Sequence, residues 1–103
     1  MNVDSLLPAF KLHARIDHAD EDAGLLLMLH ASASGVSWAA SYALPAVASE
    51  LPDDLRFAIL DQAANMYEHR GDDAGRPGLC VSASRIVSRY RGVSLGAVEI
   101  AVV

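Results

Sequence analysis

Apolar residues recur at three- and four-residue spacings in four stretches of the chain, and each stretch predicts a helix. The best specified runs over 50–70, where Leu55, Ala58, Ile59, Ala63, Met66 and Tyr67 fall on one face. Pro52 suits a first helical turn, and Asp53 and Asp54 put negative charge at the positive end of the helix dipole. Arg70 and Gly71 close the helix with a cation and a C-terminal glycine. Upstream, Leu25, Met28, Leu29, Ser32, Val36, Ala39 and Ala43 keep the same period. They predict one long helix over about 19–43, entered through the acids Asp17, Asp20, Glu21 and Asp22 and stopped by Pro45. Its middle, ASASGVSWAASYA, is made of small residues that let a neighbouring helix approach closely. Gly35 costs that helix about 1 kcal/mol relative to alanine. Trp38 falls off the main stripe, at a core edge or in an interface.

The other two helices are short. Residues 4–13 carry Leu6, Leu7 and Phe10 as anchors, with Asp4 or Ser5 as the cap and Pro8 limiting the regular part. Ile16, in the connector that follows, is expected to be buried. Residues 71–78, GDDAGRPG, form the clearest loop. After it Ser82 is expected to cap a helix with Ile86, Val87 and Tyr90 inward and Arg85, Arg89 and Arg91 largely outward. From residue 93 the pattern changes: Val98, Ile100 and Val102 alternate with Ala97, Glu99 and Ala101, as in a strand. No other stretch reads as its partner, so this tail points to pairing with another protein chain. Left free, an apolar tail of this kind is an aggregation hazard.

The fold class is therefore all-α. We expect a small four-helix bundle with a short first helix, two longer helices, a short C-terminal helix and an extended strand-like C-terminal tail. Residues 1–92 make the helical domain and 93–103 the tail. Leu25, Met28, Leu29, Leu55, Ile59, Ala63, Met66 and Ile86 are the expected core.

Composition narrows the function. At 103 residues there is room for one domain with a small core, 52% of the chain is hydrophobic and only 6% aromatic, so aliphatic and small side chains must fill it. Eight basic against 13 acidic residues leave a net charge of −5, which argues against a groove that grips DNA phosphates. The single cysteine, Cys80, allows no intrachain disulfide, and no basic n-region marks a signal peptide. The longest strongly apolar run, 25–29, is far too short to cross a bilayer. The chain reads as soluble and intracellular where it is made.

Candidate chemistry is sparse. HARIDHADED brings together His13, Asp17, His18, Asp20, Glu21 and Asp22, side chains able to bind zinc, but at a spacing that matches no metal motif. The dipole of the following helix explains these acids on its own. His69 suits a solvated helix end, and His30 a partly buried or interface position. Cys80 lacks any local base and reads as a small half-buried hydrophobe. There is no GxSxG, P-loop, HExxH or dinucleotide fingerprint. Nothing here calls for a catalytic residue, a metal or a cofactor.

The segment LPDDLRFAILDQAANMYEHRGD resembles the most recognisable block of the small head–tail connector (adaptor) proteins of long-tailed bacteriophages, through Leu51, Pro52, Ala58, Ala64, Tyr67, Glu68 and Arg70. KLHARIDHADEDAGLL is similar to that family's entry into its long helix, through Lys11, Arg15, Ile16, Asp17, Glu21 and Asp22. VSRYR, with Arg89, Tyr90 and Arg91, resembles the family's arginine-bearing end. The likeness covers most of residues 5–91. It departs at His13 and Ala14, where a more apolar pair is common, and in the serine- and alanine-rich middle of the long helix; after Arg91 there is no firm match.

The resemblance implies a four-helix adaptor without catalytic residues. Such adaptors form a ring, commonly of twelve copies, that docks beneath the portal and receives a stopper or tail-completion protein. Double-stranded DNA passes through the lumen. It also implies a place in the virion at the head–tail junction, after synthesis in the host bacterial cytoplasm. An acidic chain suits a channel that must not hold DNA. A closed head-to-tail ring needs two different patches per subunit, and the small-residue face of the long helix and the tail are the expected ones. Interface candidates are Trp38, Arg70, Arg85, Arg89, Arg91, Val98, Ile100 and Val102. Two other classes compete: a small helical DNA-binding regulator, disfavoured by the acids at the start of the 50–70 helix, and a metal-dependent enzyme on the His/Asp cluster.

Overall fold

Asn2 opens the first turn. In the computed structural model, which describes residues 1–69 and 78–90, its side chain accepts the Asp4 backbone N–H at 3.0 Å. Its carbonyl accepts the Ser5 hydroxyl at 2.6 Å. The cap is therefore Asn2, not Asp4 or Ser5. A 3-10 turn, Val3–Leu6, leads into helix α1, Leu7–Ala14. Pro8 lies in the first turn of α1, where no helical hydrogen bond needs its nitrogen, so it starts the helix instead of limiting it. Arg15 ends α1 in the left-handed conformation (φ 60°, ψ 44°), and Ile16 turns into the core.

Helix α2 spans Asp22–Ala40, shorter at both ends than the hydrophobic period predicts. Ser41 stops it in a left-handed conformation, with the Ser41 and Tyr42 N–H groups reaching back to Trp38 and Ser37. The Ser37 hydroxyl donates to the Tyr42 carbonyl at 2.6 Å and locks this turn. Pro45 lies beyond the stop, and Ala43 is exposed outside the helix. Taken whole, α2 is long and apolar enough to cross a bilayer, with a mean hydropathy of 1.3, although its longest unbroken apolar run is short. Here it is a core helix that buries Leu25, Leu29, Ser32, Ala33, Val36 and Ala40.

After a 3-10 turn at Ala48–Glu50, Pro52 stands in extended conformation just ahead of α3, Asp53–Glu68. Arg56 ties this entry together, 3.0 Å from both the Asp53 carboxylate and the Ala48 carbonyl. Helix α3 buries Leu55, Ala58, Ile59, Leu60, Gln62, Ala63 and Ala64, far more of its circumference than a single stripe. It is central because α1 and α2 both pack on it and α4, over 81–90, is bonded along it. At the α2–α3 contact the buried Ser32 hydroxyl donates to the Ile59 carbonyl at 2.6 Å, so small side chains do bring these helices close.

The architecture is all-α, with four helices and no strand among the described residues. Leu25, Leu29, Leu55, Ile59, Ala63 and Ile86 are buried as expected, whereas Met28 and Met66 are half-buried at the core edge. The expected strand-like tail, most of the 71–78 loop, and the interface candidates Arg70, Arg91, Val98, Ile100 and Val102 lie outside the described residues.

Candidate functional site

Two polar clamps hold α4 against α3. At the start of α4, the Cys80 N–H donates to Gln62 Oε1 at 2.6 Å, and the Ser82 hydroxyl donates to Asp61 Oδ2. At the other end the Tyr90 hydroxyl donates to Asp54 Oδ1 at 2.7 Å, with an Arg89 nitrogen 3.9 Å from Asp54 Oδ2. Pairing 80 with 62 and 90 with 54 makes α4 antiparallel to α3. Ser82 is inside the helix, not its cap: the Ser84 N–H bonds the Cys80 carbonyl at 2.8 Å, which puts Cys80 at the cap position.

Asp61 also reaches α1. His13 Nε2 lies 3.0 Å from Asp61 Oδ1, and the His13 ring meets Phe57 edge-on at 5.5 Å. One carboxylate thus joins α1, α3 and α4. Burial by itself would raise the Asp61 pKa, but hydrogen bonds from Ser82 and His13, the charge of His13 and the Cys80 thiol outweigh it. Together they hold the carboxyl below its ordinary value. Burial and the bond to Asp54 push the Tyr90 phenol up to about 12.

Ser82, Asp61 and His13 include the residue types of a hydrolytic triad, but in the wrong order. Asp61 separates the other two, so His13 cannot take the serine proton, and a carboxylate of lowered pKa is a weak base. The arrangement is a joint. A cavity of about 420 Å³ beside it is lined by Asp61, Asn65, Cys80, Ser82 and Arg85 among others. Cys80 is half-buried here, as expected.

The joint makes stability depend on acid. With the folded pKa of Asp61 depressed, the unfolded chain binds more protons as pH drops toward 3.8, so the stabilisation is present above that value and lost as pH falls through the folded pKa. Asp61→Asn is expected to destabilise the protein at pH 7 and to flatten the acid limb of its stability profile below pH 4. Denaturant melts between pH 2 and 7 check this; an unchanged acid limb would remove Asp61 from the role.

The HARIDHADED residues disperse. His13 turns to α3, the Lys11 ammonium lies 2.6 Å from Asp22, and Asp17, His18 and Asp20 are exposed. Among the described residues no group of three or more His, Cys, Asp or Glu side chains is placed to hold a metal. His30 is exposed, with Nε2 2.5 Å from Asp4 Oδ1, and pins the first turn to α2.

Of the sequence-predicted interface residues, the structure places Trp38, Arg85 and Arg89, all exposed. Arg85 and Arg89 lie one turn apart on α4, and Trp38 lies on α2. Trp38, 81% exposed, ends a stripe with Ser34, Ala31 and Leu27, the last 72% exposed. These positions recur at the helical period on the side of α2 opposite Leu25, Leu29 and Val36. On the side of α3 turned away from Ile59, Phe57 is exposed, and Leu12 and Val81 are exposed on α1 and α4. Sequence reasoning missed Leu27, Leu12 and Phe57 as outward residues, although Leu27, two positions from both Leu25 and Leu29, cannot share their face.

A small helical body with a polar joint and an open apolar stripe on α2 is suited to packing against other proteins. The family model for phage gp6-like head-tail connector proteins matches residues 5–85, and the chain belongs to that family. It is a structural connector of the phage virion, as the resemblance implied. No curated protein and no solved structure matches the chain.

Proposed function

We propose that this protein is the adaptor ring, of twelve copies by family likeness, that joins the portal vertex to the neck or tail and lines the DNA channel. The family match over 5–85 carries this reading. The open apolar stripe of α2 supports it, because it supplies one of the two unlike patches that a closed head-to-tail ring needs on each subunit. The net charge of −5 supports the lumen role: double-stranded DNA slides past without sequence-specific contact. Upward the partner is the portal protein, downward a stopper or tail-completion protein. Arg70, Arg85, Arg89 and Arg91 serve ion pairs with neighbours or the portal, Trp38 serves the subunit interface, and Val98, Ile100 and Val102 contact an adjacent chain.

The native mass of the protein, alone and mixed with the portal from its own gene neighbourhood, tests this. A ring, or a monomer that joins the portal stoichiometrically, is the expected result, and deletion of 93–103 should weaken that assembly while leaving helical content intact. A persistent monomer that ignores the portal would refute the adaptor role.

A further inference from the structure

Among the described residues nothing packs on the outer face of α2, and it is flanked by space. A cavity of about 410 Å³ lies on one side of Trp38, toward Ser37, Ser41 and Tyr42, and another of about 500 Å³ on the other, toward Val3, His30 and Leu44. The Tyr90 ring meets Tyr42, a wall of the first cavity, at 5.8 Å. The last described residue of α4 therefore stands at the C-terminal edge of the Trp38 face, and thirteen further residues, 91–103, follow it.

Direction then matters. The Ser32–Ile59 bond and the Tyr42–Tyr90–Asp54 contacts make α2 antiparallel to α3, so α2 and α4 run parallel and end at one edge. At that edge the axis of α4 points away from the Leu27–Trp38 stripe of the same copy. Extended, thirteen residues reach about 40 Å, and the stripe is about 17 Å long, so the segment can cross to a neighbour and cover it. Chemistry matches too: Leu27, Ala31, Ser34 and Trp38 carry no charge, and 93–103 carries one, Glu99.

We propose that the Leu27–Ala31–Ser34–Trp38 face of α2 receives the C-terminal segment 93–103 of the adjacent copy. Alternate residues of an extended segment lie about 7 Å apart on one side, a spacing that lets two of Val98, Ile100 and Val102 enter the cavities on either side of the indole. The inference rests on the ring reading for its partner and gives that ring its head and its tail.

Trp38 is the only tryptophan, so its fluorescence reports the face directly. The test uses full-length Ile100→Asp, which has a spoiled tail and an intact face, and Ala31→Arg, which has the reverse. A synthetic peptide of residues 91–103 should move the Trp38 emission of Ile100→Asp to shorter wavelength and cut acrylamide quenching several-fold. It should leave Ala31→Arg unchanged. Mixed, the two variants should stop at one-to-one pairs, since only one productive contact exists between them. A peptide without effect on Ile100→Asp overturns the contact, even where native mass shows a ring. Shielding of Trp38 in dilute wild-type monomer, relieved by Ile100→Asp, also overturns it, because the chain's own tail would then cover the face. Peptide binding without any ring would instead leave the contact standing and sink the adaptor reading.

Discussion

Phe10→Ala is expected to lower the unfolding free energy by about 3–5 kcal/mol. Phe10 is fully buried and is the one large side chain by which α1 enters the core. Removing the ring loses its transfer free energy and leaves a cavity between rigid helices, which relax only partly around it. A domain of this size has a total stability of about 5–15 kcal/mol, so the variant should lose a large fraction of it. His13 and Lys11, also on α1, would lose their alignment with Asp61 and Asp22, so the joint should fail with the helix. Urea unfolding checks this as a lower midpoint at unchanged slope, with Phe10→Leu recovering most of the loss. A cost under about 1 kcal/mol would mean that α1 is not docked as described.

Ser32→Leu is expected to cost about 2–4 kcal/mol, roughly 1 for the lost hydrogen bond and 1–3 for overpacking. Ser32 has no exposed surface, and its hydroxyl touches the Ile59 carbonyl at 2.6 Å, so the larger side chain has nowhere to go without parting α2 from α3. Ser32→Ala separates the two contributions, since it loses only the bond and gains helix propensity. Thermal or denaturant melts of the three proteins decide the matter. If leucine proves no worse than alanine, the α2–α3 contact has slack, and the small residues of α2 are not there for close approach.

Both predictions rest on positions that the sequence already marked. Phe10 and Ser32 lie on apolar stripes, and a helix of 3.6 residues per turn converts such a stripe into a buried face whatever its neighbours are. The same arithmetic placed Leu25, Leu29, Leu55, Ile59, Ala63 and Ile86 inside, and it separated Trp38 from them. It failed at the ends. The opening 3-10 turn, the stop of α2 and the start of α4 are decided by hydrogen bonds that Asn2 accepts, that close the Ser37–Tyr42 turn and that the Cys80 carbonyl accepts, each of which competes with an equally plausible neighbour. Met66 was drawn inward by its period, yet it lies half-buried near the end of α3.

The candidate site was less legible than the fold. Asp61 and Gln62 look like ordinary polar positions on α3, and no local pattern distinguishes them from Asn65. Their roles come from partners far along the chain: His13 is 48 residues away from Asp61, Ser82 is 21, and Cys80 is 18 from Gln62. The family likeness was legible because it resides in local blocks of helix signal, and the match over 5–85 bears it out.

The sequence by itself determined the helical class, the inward face of each helix, the acidic balance and the family, because periodicity, charge and local motifs are properties of neighbouring residues. Only the tertiary structure decided that α3 is central, that Asp61 binds three helices into one joint, and that Leu27 and Trp38 share an open face at the edge where α4 delivers Tyr90. Those facts depend on which surfaces the folded chain brings within a few ångströms of each other, and residue order alone does not carry that distance.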